Sequence, residues 1–209
     1  MLISLSIMKQ EIIQHLSSDS KLGAVIAKTP IEWPEAGDDI YYSLLRSIVF
    51  QQLSGKAAST IHGRFIDLFP EGYPYPAEVL ALDLPALRAA GLSRQKASYI
   101  QHVAEFFQRE NLLGKDLTDM ENEAVIKYLT QIKGVGRWTV EMLLMFTLNR
   151  PDVLPLDDLG IQQAIQQLYD FTDKGRALKK RMLEIAEPWR PYRTYASLYL
   201  WRWKDSGGP

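Results

Sequence analysis

The residues best suited to chemistry lie in the run Leu129-Thr130-Gln131-Ile132-Lys133-Gly134-Val135-Gly136-Arg137-Trp138-Thr139-Val140 and in the pair Asp157-Asp158 downstream. A helical pattern ends at Ile132, a tight Gly-x-Gly turn follows, and a second apolar pattern starts at Arg137. Two helices should therefore meet there, with backbone amides exposed at the start of the second, and such amides bind phosphate oxygens. Gly134 can take a positive φ to leave the first helix, and Gly136 has no Cβ to hold an approaching sugar-phosphate strand away. Lys133 and Arg137 add positive charge beside the turn. A plain reversal between two helices would use the same glycines, so these residues leave both readings open. A dinucleotide-binding loop is excluded, because the third glycine of its pattern would fall on Thr139 and a helix rather than a strand precedes the turn. The Asp157-Asp158 pair precedes an amphipathic pattern, where an aspartate caps a helix or offers an ionised carboxylate to a reaction.

These groups must be positioned by a chain of 209 residues, enough for one domain or two small lobes without stapling. It has no cysteine, which removes disulfides, iron-sulfur clusters and zinc ribbons, and its three histidines, His15, His62 and His102, are too dispersed for a zinc site. Metal-dependent hydrolysis is not expected. The apolar first eight residues lack a basic start and a cleavage-like sequence, and no apolar run approaches a membrane span, so a soluble, cytoplasmic protein is expected, nucleoid-associated in a bacterium or nuclear in a eukaryote. The formal net charge of −1 is low for a nucleic-acid protein, but its distribution is uneven. Residues 1–40 hold three lysines against six acids, a formal −3, whereas residues 174–204 hold nine basic side chains against two acids, a formal +7. The aromatics Trp189, Tyr192, Tyr195, Tyr199, Trp201 and Trp203 interleave with that basic run. They could stack on bases, but the core is the favoured place for most of them.

The periodicity predicts helices throughout. Tyr41, Leu44, Leu45, Ile48 and Val49 form one apolar stripe behind a cap at Asp38 or Asp39. A second helix follows Gly55 through Phe65, and three prolines within residues 70–76 predict a loop. A short helix runs from Leu84 to Ala90, with Pro85 at its start and Gly91 past its end. Ser93 then caps the run Arg94 to Phe107. Thr118-Asp119-Met120-Glu121 reads as a capping box opening the helix before the hairpin. Ile161, Ala164, Ile165 and Leu168, then Leu178 to Ala186, then Arg193 to Trp201, mark three more helices. No alternating strand pattern appears. The expectation is an all-α protein of about ten helices in two lobes, residues 41–150 and residues 1–40 with 151–209, with the active site in the cleft between them.

With these blocks in place, the chain resembles the helix-hairpin-helix DNA glycosylases, and within them the alkylation-repair branch of 3-methyladenine glycosylases. The resemblance covers most of the chain and rests on five blocks in order: Phe50 to Ala58 (Phe-Gln-Gln-Leu-Ser-Gly-Lys-Ala-Ala), Gly91 to Ala97 (Gly-Leu-Ser-Arg-Gln-Lys-Ala), Ile132 to Thr139, Leu154 to Asp158, and Trp189 to Ala196 (Trp-Arg-Pro-Tyr-Arg-Thr-Tyr-Ala). It implies a two-lobed fold and a monofunctional enzyme that flips an alkylated purine out of double-stranded DNA and hydrolyses its N-glycosidic bond. The implied catalytic residue is Asp158, with Asp157 as support or helix cap. The implied base pocket is formed by Trp138, Trp201, Met142 and Leu159. DNA contacts are implied for Gln52, Leu53, Ser54 and Lys56, with Leu53 as the wedge in the vacated stack, and for Lys133, Gly134, Val135, Gly136, Arg137 and Thr139 of the hairpin.

Chemistry supports these implications. A purine methylated at N3 or N7 is a good leaving group, and one ionised carboxylate stabilises the oxocarbenium-like state that forms. Nicking relatives use a lysine at the hairpin position where this chain has Trp138, and an indole forms no Schiff base. No cofactor is expected for catalysis. The resemblance also implies a monovalent cation, Na⁺ or K⁺, on the backbone carbonyls of Thr130, Ile132 and Val135. Met142 and Leu159 stand where the enterobacterial type often has aromatics, with Gly160 beside Leu159, so a wider, less stacking pocket is expected. No counterpart of that type's sheet-containing N-terminal domain is expected. The substrates implied are 3-methyladenine and 7-methylguanine, with hypoxanthine or ethenoadenine further candidates, and the enzyme is expected to be a monomer that does not bind membranes. The rivals are a non-catalytic DNA-binding or damage-sensing protein on the same hairpin, and a helical interaction module without a nucleic-acid role.

Overall fold

A capping side chain starts five of the helices in the computed structural model, which describes residues 2–35, 37 and 39–207. Twelve α-helices and one 3₁₀ turn are present among the described residues, with no strand. The chain divides into two compact units, residues 1–35 with 149–209 and residues 36–148. These boundaries lie a few residues from the expected ones.

The unit of residues 36–148 contains α3 (Ile40–Phe50), α4 (Gly55–Ile66), α5 (Pro76–Ala81), α6 (Leu84–Ala89), α7 (Arg94–Arg109), α8 (Asn122–Leu129) and α9 (Arg137–Phe146). Asp39 caps α3 by accepting the Tyr42 amide at 2.8 Å, and Asp38 lies outside the described residues. The stripe Tyr41, Leu44, Leu45, Ile48 and Val49 is fully buried. Asp83 caps α6 and Ser93 caps α7, whose own stripe of Ala97, Ile100, Val103, Ala104 and Phe107 packs on α3, α5 and α6. α8 and α9 pack together, and α9 also rests on α3, which fixes the hairpin at residues 130–136 against the unit's core.

Two expectations are corrected in this unit. Pro76 opens a short helix instead of continuing the loop, as a proline at a helix start can. The capping box at Thr118 does not form. α8 starts later, at Asn122 with Glu121 as its unbonded cap, because Asp116 takes both the amide (2.8 Å) and the hydroxyl of Thr118 in a local turn.

The other unit contains α1 (Leu2–Leu16), α2 (Ser20–Ile26), α10 (Leu159–Tyr169), α11 (Gly175–Ala186), a 3₁₀ turn (Glu187–Trp189) and α12 (Arg193–Asp205). Its core joins Ile12, Leu16, Leu22, Ile161, Ile165, Met182, Trp189 and Leu200. Asp19 caps α2 through one carboxylate oxygen, which takes the amides of Lys21 and Leu22 at 3.0 and 3.1 Å. Its other oxygen accepts the Tyr169 hydroxyl and the Trp189 indole. Of the C-terminal aromatics, Trp189, Tyr195 and Tyr199 are buried, as expected for core, while Tyr192, Trp201 and Trp203 are half-buried.

Candidate functional site

Two helix starts organise the candidate residues. At α9 the cap position is Gly136, with φ −92° and ψ 167° and no side-chain bond to the helix, so the first amides of α9, from Arg137, Trp138 and Thr139, have no capping side chain of their own. Gly134 has φ 98°, and a Cβ there would lie 2.2 Å from Cγ of Tyr99, so the turn requires glycine twice over. A Cβ on Gly136 would meet nothing within 4 Å, which leaves open space before the amides.

The side chains of the hairpin differ in what they offer. Lys133 is exposed, whereas Val135 and Thr139 are buried and can present only backbone groups outward. Arg137 is ion-paired beside the turn. Its guanidinium pairs with Glu123, one of the bonds measuring 3.0 Å, and through Nε with Glu141 at 2.9 Å. Hydrogen bonding and charge from Arg137 hold the Glu123 carboxyl below its usual range, so Arg137 brings its own counter-charges to the turn.

The carbonyls of Thr130 and Val135 accept no hydrogen bond among the described residues, while that of Ile132 accepts the Val135 amide at 3.0 Å. Two unclaimed carbonyls and one with a lone pair to spare suit a hard monovalent cation, so the hairpin fits the ion expected there. Among the described residues, no group of three His, Cys, Asp or Glu side chains could hold a metal.

The wedge candidates occupy the turn between α3 and α4. Gln52 has φ 57°, unusual for a residue other than glycine, and Leu53 after it is 40% exposed, where an apolar side chain of the core would be buried. Ser54 is the cap residue of α4 and makes no side-chain bond to it, and Lys56 in the first turn is exposed. Beside this turn lies a cavity of about 600 Å³, lined by Gln51, Gln52, Arg46, Phe50, Trp138 and Met142 among others. Trp138 is 43% exposed.

At α10 the cap is Asp158. One oxygen, Oδ1, accepts the Ile161 amide at 2.8 Å and the Trp201 indole N–H at 2.8 Å. This corrects the division of labour expected for the pair: Asp158 itself is the helix cap, while Asp157 is ion-paired with Lys179 on α11. The approach of Trp201 depends on Gly160. A Cβ there would lie 3.0 Å from Oδ1 of Asp158 and 3.1 and 3.2 Å from Cδ1 and Nε1 of Trp201. Leu159, between them, is 65% exposed. The four residues assigned to a base pocket thus divide between the units, Trp138 and Met142 in one and Trp201 and Leu159 in the other.

Five of the nine basic side chains in residues 174–204 are ion-paired within their own unit. Lys179 pairs with Asp157, Arg181 with Asp173, and both Arg190 and Arg193 with Asp152, while Lys180 faces Glu184. Most of these acids precede residue 174, outside the window in which the excess was counted. Arg46, Gln51, Lys96 and Tyr99 were not singled out by sequence, since each bears on the site through partners far away in the chain.

Two all-helical units, one carrying a helix-hairpin-helix whose second helix starts at a glycine cap and the other a helix-capping aspartate, define the class of the helix-hairpin-helix DNA glycosylase fold. The model of the HhH-GPD superfamily of base excision DNA repair proteins matches residues 45–191, and the chain belongs to that family. It is 40% identical over 164 residues to DNA-3-methyladenine glycosylase 1 of Schizosaccharomyces pombe, covering 78% of this chain and 71% of that protein. The solved S. pombe 3-methyladenine DNA glycosylase in complex with abasic DNA superposes with a TM-score of 0.77 at 34% identity, over 93% of this chain and 97% of that one. A DNA-3-methyladenine glycosidase from Bacillus halodurans gives 0.78 at 38% identity, over 92% and 87%. No helix among the described residues is long and apolar enough to cross a membrane.

Proposed function

We propose that the protein is a monofunctional DNA glycosylase that removes alkylated purines from double-stranded DNA and leaves an abasic site with the strand intact. The observation that carries this reading is the carboxylate of Asp158, oriented by two donors on a single oxygen in a chain of this family. Methylation at N3 or N7 makes the purine cationic. As the bond from C1′ to the base nitrogen lengthens, the electron pair leaves with the base and neutralises it, while positive charge builds on the sugar. The Asp158 carboxylate stabilises that charge, water adds to C1′ and its proton is released.

The other unit supplies recognition. The hairpin amides and Lys133 grip a backbone phosphate, and a monovalent cation on the carbonyls of Thr130, Ile132 and Val135 would add positive charge there. Leu53 enters the stack as the nucleotide leaves, with Gln52, Ser54 and Lys56 beside it on the DNA. Trp138 presents an indole face, worth about 0.5 to 2 kcal/mol to a cationic ring. Having no amine, it forms no Schiff base, so strand nicking is not part of the reaction. The abasic DNA bound by the S. pombe relative is the product such a reaction leaves. The preferred substrates are 3-methyladenine and 7-methylguanine, with hypoxanthine and ethenoadenine next, and the enzyme acts as a monomer wherever the cell keeps its DNA.

The test is release of bases from methylated duplex DNA by wild type and Asp158→Asn. Asparagine keeps the cap and removes the charge, so release is expected to fall by about 10²- to 10⁴-fold while DNA is still bound. Wild-type release by the variant removes Asp158 from the chemistry, and DNA binding without release by the unaltered protein leaves the non-catalytic DNA-binding reading in its place.

A further inference from the structure

The turn that carries Leu53 and the hairpin that carries Gly134 are braced by the same helix. Lys96, in the first turn of α7, donates from Nζ to the carbonyls of Val49 at 2.8 Å and Gln51 at 2.6 Å, where α3 ends. The next residue, Gln52, holds its left-handed φ of 57°, a conformation that persists only where its surroundings impose it. One turn along α7, the ring of Tyr99 fills the space a Cβ on Gly134 would need, and its hydroxyl is fixed by the Gln95 amide at 2.6 Å. Between the two turns, Gln51 Nε2 donates to the Gly134 carbonyl at 3.4 Å. Lys96 and Tyr99, three residues apart, share a helix face, so one rigid element meets both turns.

We infer that Lys96 and Tyr99 are positioning residues that fix the separation between the wedge at Leu53 and the phosphate-binding hairpin, and so couple backbone grip to nucleotide extrusion. The inference rests on the glycosylase reading. A wedge works only if it meets the stack at a set distance from the phosphate being held, and misplacement of about 1 Å costs on the order of a hundredfold in rate. Lys96 suits this task better than phosphate binding. Its ammonium is directed to backbone carbonyls, and burial lowers its pKa from the usual lysine value.

The experiment uses the full chain and a duplex carrying one methylated purine with 2-aminopurine as its neighbour, whose fluorescence rises when the stack opens. Lys96→Met is expected to lower both the fluorescence change and the single-turnover release rate by about tenfold to a hundredfold, with affinity for undamaged duplex unchanged. Lys96→Arg, which keeps the charge and the donors, restores most of both. Tyr99→Ala loosens the hairpin itself and lowers affinity for every duplex as well as the fluorescence change. If Lys96→Met does not fold, Lys96→Gln decides, because its shorter side chain keeps a polar group there but cannot reach the carbonyls of both Val49 and Gln51. A folded Lys96→Met, or in its place Lys96→Gln, with the full wild-type fluorescence change overturns the inference. A wild type that opens the stack but releases no base overturns the enzymatic reading alone, and the fluorescence still judges the positioning role.

Discussion

The helices α9 and α10 begin with the same difficulty and resolve it in opposite ways. Each starts with backbone amides that have no partner within the helix. α10 closes on its own carboxylate, with Asp158 taking the Ile161 amide at 2.8 Å. α9 begins at Gly136, which brings no side chain at all, so no cap of its own covers those amides. A helix start is thus a structural joint or an anion site depending on whether the sequence fills its cap. At α10 the cap is also the proposed reacting group, since a carboxylate accepting from two donors is held in one orientation.

The largest expected effect comes from separating the two duties of Asp158. Asp158→Ala removes cap and charge together. It should lose about 0.5 to 2 kcal/mol of stability in denaturant unfolding as well as base release, where Asp158→Asn loses release alone. Equal stability of the two variants would show that the cap contributes nothing. The converse change is Gly136→Asp, which gives α9 the cap that α10 has. Its backbone accepts any residue and its Cβ has room, so thermal stability should hold or rise. DNA affinity should fall by about 1 to 4 kcal/mol, the repulsion of like charges about 4 Å apart, in a titration at fixed salt. Unchanged affinity would place the phosphate elsewhere.

Gly134→Ala attacks the hairpin through its shape instead of its charge. A φ of 98° and the Tyr99 ring both oppose the methyl, so a loss of about 1 to 3 kcal/mol is expected from the backbone alone, read as a lower unfolding midpoint. The smallest effect concerns Asp19, a capping aspartate with no proposed chemistry. Burial raises its pKa, but hydrogen bonds from Tyr169, Trp189 and two amides outweigh that and hold it below the ordinary value of 3.8. A carboxyl depressed in the folded state contributes stability above its unfolded pKa and loses it as pH falls through the folded one. Asp19→Asn should therefore be less stable than wild type at neutral pH, and the gap should narrow below about pH 4 with base release unaffected.

Much of this was legible in the sequence because it is local. Apolar spacing located most helices, Asp39 and Ser93 marked two of their starts, and the two glycines marked the hairpin. What escaped is carried by bonds between residues far apart. Lys96 meets carbonyls of Val49 and Gln51, and Trp201 reaches Asp158 from the last helix. The basic run at residues 174–204 is partly offset by Asp152, Asp157 and Asp173, which stand earlier in the chain and pair with Lys179, Arg181, Arg190 and Arg193. The capping box failed for a local reason that pattern matching ignores, since Asp116 competes for Thr118.

Gly160 has no side chain to react, yet on the proposed reading it ties breadth of diet to speed. A methyl group there would crowd the indole and the carboxylate together, so Trp201 cannot be resized to admit bulkier lesions without also disturbing the oxygen it anchors. On the proposed reading, a lineage of such enzymes could not easily trade one property against the other at this corner.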